Sequence, residues 1–281
     1  MGQPRTHLER LHARDGYFAP ESMVRRLGNS PVTPFLGGGA AVLLQVAHPL
    51  VACGVVEHSG YERDLWRRLT RTLRALYLIT FGNRAEAEHA GACVQAVHAR
   101  VHGRTRTRLG PFPAGTSYSA SDPELMLWVH ATLVHSSLAA YERFVEPLTP
   151  AERERYHDEM SLVAVLFGTP PRVLPADYRE FCDYFEAQVR SEAVTVTAPA
   201  REVAEVILAA PLPAPLRLLA PAHRLATARI LPATVRAQYG LRWSRLHEHA
   251  LPLAGATVRY GTAPIVSAAA RFRGLAPRIA A

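Results

Sequence analysis

Lysine is missing from all 281 residues, so every one of the 32 basic side chains is arginine, a planar guanidinium that is always charged. Cysteine is scarce. Cys53, Cys93 and Cys182 lie far apart and form no C-x-x-C pair, which excludes a disulfide framework and a thiolate zinc site. That usage fits a reducing cytoplasm, and the polar first dozen residues lack the charged-then-apolar pattern of a secretory leader. No G-x-S-x-G, Walker or dinucleotide glycine pattern occurs. Gly37-Gly38-Gly39 has neither the lysine nor the spacing of a phosphate cradle, which removes the hydrolase and nucleotide-enzyme readings. Alternating β-branched runs with hairpin turns are few, so little sheet is expected, and no internal repeat is visible. Charge is absent over the 22 positions from Phe35 to Val56, long enough to cross a bilayer. Gln45, His48, Pro49 and four glycines interrupt that stretch, however, and favour a buried hairpin of the core over a transmembrane helix.

At 48% hydrophobic and 20% charged residues, the chain can bury a large core, and one domain over 1–281 is the default. The net charge of +8 is unevenly spread. Residues 217–281 hold ten arginines and one acid, Glu248, or +9; residues 1–216 hold 22 basic and 23 acidic residues, or −1. Residues 200–281 therefore read as a basic, C-terminal helical cap. Such a surface suits nucleic acid, an anionic membrane face or an acidic ligand, but solvated faces of amphipathic helices are the plainer reading and leave nucleic acid disfavoured.

The pattern is helical nearly throughout, predicting an all-α fold. Leu65, Leu69, Leu73, Leu76 and Thr80 recur at helical spacing over 65–81, with Asp64 as N-cap and Gly82 as the stop. A second helix is predicted over 84–102, its stripe formed by Ala87, Gly91, Val94, His98 and Val101. Asp122-Pro123 opens a third, reaching about Val145. Thr149-Pro150-Ala151-Glu152 is a capping box ahead of a fourth, with Tyr156, Met160, Val163 and Phe167 inward. Residues 177–191 and 201–209 continue the helical pattern before a proline-rich stretch.

Polar groups on apolar stripes are the informative ones. His98 should point inward, where its imidazole needs a hydrogen-bonding neighbour or a metal. His102 lies four residues on, the spacing of two ligands on one helix face, and with another histidine it could hold a non-haem metal. His130 also sits in apolar surroundings, and His48 and His58 flank the uncharged stretch. Arg68 and Thr72 project together, with Arg71 about 100° around the axis; a guanidinium and a hydroxyl suit a carboxylate or a polarised oxygen species. An ordinary salt-bridged surface accounts for them equally well.

The runs Leu43-Leu44-Gln45-Val46-Ala47-His48-Pro49, Glu57-His58-Ser59, Arg68-Leu69-Thr70-Arg71-Thr72, Val97-His98-Ala99-Arg100-Val101-His102-Gly103 and Asp122-Pro123 through Leu133 together resemble the bacterial branch of the MpaB and rubber-oxygenase catalytic-domain family. The resemblance spans about residues 16–190. It implies a helical fold enclosing haem b, whose iron is held by one histidine and reacts with dioxygen. In the latex-clearing branch the axial histidine lies in a His-x-x-Val motif after an Arg-x-x-Lys-Thr helix, which maps the iron ligand onto His98 and haem-lining roles onto Arg68 and Thr72. Arg71 stands where that branch has a lysine able to close the distal side of the iron, and a guanidinium cannot take that role. No carboxylate occurs between residues 35 and 56, so Glu57 is the first candidate for a catalytic acid.

The expectation is thus a haem b oxygenase acting with dioxygen on a small or medium apolar substrate. His98 holds the iron, Arg68, Arg71 and Thr72 line the haem, and His48, His58 and His130 serve in the pocket or behind it. Two rivals stand beside it. One is a non-haem metal enzyme built on His98 and His102. The other is a non-catalytic helical module whose basic C-terminal region binds nucleic acid, or touches a membrane surface peripherally.

Overall fold

A computed structural model describes residues 16–30, 32–58, 61–209, 220–244 and 247, the side chains of 61–70 left out. Its elements are helices α1 (Met23–Asn29), α2 (Val32–Ala47), α3 (Pro49–His58), α4 (Tyr61–Phe81) and α5 (Arg84–His98), then strands β1 (His102–Arg104) and β2 (Ser117–Ser119). Helices α6 (Pro123–Phe144), α7 (Pro150–Leu166), α8 (Tyr178–Arg190), α9 (Ala198–Leu208), α10 (Ala220–Ile230) and α11 (Ala233–Gln238) follow, with a short 3-10 turn at Pro171–Val173. The fold is all-α, and the two strands form only an antiparallel hairpin that pairs His102 with Ser119 and Arg104 with Ser117.

Helix α2 is the central post. Its composition of glycine, alanine and branched aliphatics lets α3, α6, α9 and α10 all pack on it. Leu36, Ala40, Leu43, Leu44, Val46 and Ala47 are fully buried. Two glycines set the approach distances: a Cβ at Gly37 would lie 2.9 Å from the Ser136 carbonyl oxygen on α6, and one at Gly39 would lie 2.7 Å from Thr227 Oγ1 on α10. The uncharged stretch is therefore two core helices, broken at His48. No single helix among the described residues is long and apolar enough to cross a membrane; α1 and α2 pass that test only as a pair bent by 96°.

Local signals place the long helices as expected. Asp122 caps α6, accepting from Glu124 N at 2.9 Å, and Thr149 and Glu152 close a capping box at α7. Tyr156, Met160 and Val163 face the core from α7, and Gly168, at φ +97°, ends it.

Two helices differ from the pattern. Helix α4 begins at Tyr61, so Asp64 lies inside it; the side chains of Leu65 and Leu69 lie outside the described residues, and over 71–81 Ala75, Ile79 and Thr80 are buried while Leu73 is 41% exposed. Of the predicted stripe, Thr80 is buried and Leu76 packs against the core, whereas Leu73 is exposed and Ala75 and Ile79 are buried beside them. Helix α5 ends at His98 rather than 102, because His102–Arg104 is drawn into the hairpin with Ser117–Ser119.

The basic C-terminal region lies mostly outside the described residues. Within them, Arg229 and Arg236 stand over the Trp243 ring at 5.9 and 4.9 Å, so part of its charge is spent on packing.

Candidate functional site

Gly82 and the Asn83 cap make a tight corner between α4 and α5, where Asn83 and Glu86 form a capping box. Helix α5 then packs back on α4 and ends at His98. His98 is half-buried and its Nδ1 is buried. Arg68 lies on α4, and its side chain falls outside the described residues.

Arg71, Thr72, Leu73 and Arg74 are all exposed, which is a complete helical turn. Large apolar side chains on this helix pair are exposed as well: Tyr77 at 38% and Val97 at 55%, beside Leu73. This hairpin carries exposed arginine, threonine, leucine and tyrosine on α4 and an exposed valine on α5. It offers cations for carboxylates and apolar area for a flat ring. The donor set and the uncovered apolar surface fit a histidine-held tetrapyrrole.

The chain leaving His98 packs on α3. Val101 Cγ1 lies 3.3 Å from where a Cβ at Gly54 would be, and Val101 O accepts from Ala120 N at 2.8 Å, tying this segment to the strand hairpin. Gly54, Glu57 and His58 share a face of α3. There the Tyr118 hydroxyl donates to Glu57 Oε2 at 2.6 Å and lies 3.2 Å from His58 Nε2. Arg106 reaches the other Glu57 oxygen at 3.6 Å. Tyr118 lies over Gly103, where any Cβ would meet its hydroxyl at 2.6 Å. Burial, reinforced by the bond to Glu57, holds the phenol well above its ordinary range, so Tyr118 remains a donor. Cys53, one turn before Glu57, is buried with its thiol pushed up by burial, which makes it inert.

The other predicted histidines divide. His58 belongs to the Glu57–Tyr118 cluster. His48, at the break between α2 and α3, packs on Phe112 at 5.3 Å, and burial lowers it to about 4. His130 lies on α6 within the core, lowered to about 3 by burial and then by His157, and is not brought to the α4–α5 hairpin. His102 is an exposed residue of β1; it and His98 do not share a helix face, so the two-ligand spacing read from the sequence is lost. Sequence reasoning missed Tyr118 and Arg106. Only tertiary pairing brings Tyr118 to Glu57, 61 residues earlier.

A family model described as the catalytic domain of ER-bound oxygenase mpaB/B'/rubber oxygenase matches residues 25–260. Uncharacterised proteins of Mycobacterium bovis and Mycobacterium tuberculosis are each 27% identical over 215 residues, covering 74% of this chain and 81% of the relative. No solved structure matches the chain.

Proposed function

Because the chain belongs to the family of ER-bound oxygenase mpaB/B'/rubber oxygenase catalytic domains, and is by that membership an oxygenase-type oxidoreductase domain, we propose that it is a haem b-dependent oxygenase acting on a small or medium apolar organic substrate. The observation that supports this most is the half-buried His98 at the end of a helix packed on α4, whose turn Arg71-Thr72-Leu73-Arg74 is exposed. His98 would hold the iron through Nε2. Arg68 and Arg71 would meet the propionates, and Thr72 would line the same turn. When bound, the haem supplies the binding and activation of dioxygen.

The protein's own groups do the rest. Leu73, Tyr77 and Val97 would offer apolar surface on which the ring could lie. Glu57 is held through Oε2 by Tyr118, which leaves Oε1, beside Arg106, to take a proton from the substrate. His58 Nε2, 3.2 Å from the Tyr118 hydroxyl, helps to hold that phenol in place. The two rivals have less support. His102 is on a strand, and the family match takes residues 217–260 of the basic region into the catalytic domain.

The test is an absorption spectrum with iron analysis of protein from haem-supplied cells, beside the same measurements on His98→Ala. One haem per chain with a Soret band, lost or strongly shifted in the variant, is the expected result. Iron or zinc without a Soret band, or an unchanged spectrum in His98→Ala, would overturn it.

A further inference from the structure

Away from the α4–α5 hairpin, Glu154, His157 and Asp158 converge on α7. At i, i+3 and i+4 they share one face, and one candidate ligand atom from each lies within 4.8 Å of the other two. We propose that they bind a divalent transition-metal ion, with Zn²⁺ the best match to one nitrogen and two oxygen donors.

His157 points to a ligand most directly. It is 1% exposed, yet its Nδ1 is buried and has no hydrogen-bond partner among the described residues. Nearly all such atoms in folded proteins find a partner. The closest carboxylate oxygen, Asp158 Oδ1, is 3.7 Å away, too far for a hydrogen bond but near the separation of two ligands on one ion. Zinc bonds of about 2.0–2.2 Å at tetrahedral angles put ligand atoms about 3.3–3.6 Å apart. Phe181, with its ring centroid 5.6 Å away, fixes the imidazole from α8.

The two carboxylates are prepared differently. Glu154 Oε1 accepts from Tyr178 N at 3.1 Å, the first N–H of α8, which orients the carboxylate and leaves its other oxygen for a metal. Asp158 is 63% exposed on its side chain, so small rotations close the site and water can take the remaining position. The neighbouring cations are engaged elsewhere. Arg153 pairs with Glu142 at 2.7 Å, and Arg155 pairs with Glu159 at 3.1 Å and bonds the Glu21 carbonyl at 2.8 Å. Among the described residues, neither Glu154 nor Asp158 pairs with an arginine. Asp177, which caps α8 through Glu180 N at 2.7 Å, adds a further negative charge beside His157. An imidazole nitrogen in the set disfavours Mg²⁺ and Ca²⁺, which take oxygen ligands. A bound ion would link α7 to the first turn of α8 through Glu154.

Metal-stripped full-length protein titrated calorimetrically with Zn²⁺, and with Co²⁺ while its visible absorption is followed, tests the site. One Zn²⁺ per chain, not displaced by excess Mg²⁺, is expected. Affinity should fall by at least about 10-fold in Glu154→Gln and Asp158→Asn, which remove partly or largely exposed charges and keep the fold by circular dichroism. His98→Ala should leave the titration unchanged, which separates this ion from any haem. Absence of stoichiometric Zn²⁺ binding, undiminished wild-type affinity in both carboxylate variants, or loss of binding in His98→Ala would each overturn the assignment.

Discussion

Glu57 and Tyr118 form a hydrogen bond of 2.6 Å between a carboxylate and a phenol that burial keeps protonated. Bonds to a charged acceptor contribute about 1.5–3 kcal/mol, and partial exposure of Glu57 places this pair at the lower end. A double-mutant cycle of Tyr118→Phe and Glu57→Gln, read by urea unfolding, should give a coupling of about 1–2 kcal/mol. Arg106, whose side chain is almost wholly in solvent at 3.6 Å from the other oxygen, should couple far more weakly. Additive effects of Tyr118→Phe and Glu57→Gln would mean that the two side chains do not meet in solution, and would take away the anchored carboxylate that the proposed proton removal requires.

Among the elements, α2 and α6 come closest where Gly37 faces the Ser136 carbonyl. A Cβ there would sit 2.9 Å from a backbone oxygen, which cannot rotate away, so Gly37→Ala has to push the two helices apart. Its cost should be about 2–3 kcal/mol. Gly38 is the internal control, since a Cβ at that position meets nothing within 4 Å. Gly38→Ala should be neutral or should stabilise by up to about 1 kcal/mol, the ordinary helix preference of alanine over glycine. Thermal unfolding of the two variants should therefore shift in opposite directions; equal shifts would argue against so tight a contact between α2 and α6. These helices also show how much could be read before the structure. Asp122-Pro123 and Thr149 with Glu152 are local signals, complete within one turn, and they fix the starts of α6 and α7 correctly. The end of α5 is not local: Val97 to His102 keeps an apolar spacing compatible with helix, and only pairing with Ser117–Ser119, far along the chain, extends His102. On α4 the stripe holds at Leu76 and Thr80 but not at Leu73, because the neighbours that bury Ala75 and Ile79 leave Leu73 outside, and a single helix's periodicity does not reveal them. His98, expected to point inward, is half-buried at the end of α5. Tyr118 was not legible, having no spacing relation to Glu57.

For the molecule as a whole, the interior stores neutral histidines. His48 and His223 are lowered to about 4 and His130 to about 3, each chiefly because burial penalises the charged ring, against an ordinary value of 6.5. Above pH 6.5 neither the folded nor the unfolded chain protonates these rings, and they leave stability unchanged. Between 6.5 and about 4 the unfolded chain takes up protons that the folded chain refuses, so stability falls as pH falls. Each ring costs about 2 kcal/mol by pH 5, at about 1.36 kcal/mol per pH unit per proton, and three cost about 6 kcal/mol. That is comparable with the whole stability of a typical domain, about 5–15 kcal/mol. Glu152 acts lower on the scale: the Thr149 backbone N–H and then Arg26 pull it from 4.5 to about 2, and its stabilising effect is lost only as pH drops through that range. Unfolding should thus begin between pH 6 and 5, well above carboxylate titration, and circular dichroism against pH should show a cooperative transition near pH 5. His130→Asn or His223→Asn, where folded, should move that midpoint to lower pH; a wild-type transition confined to pH 4 and below would mean that these rings are already solvated or protonated in the native state.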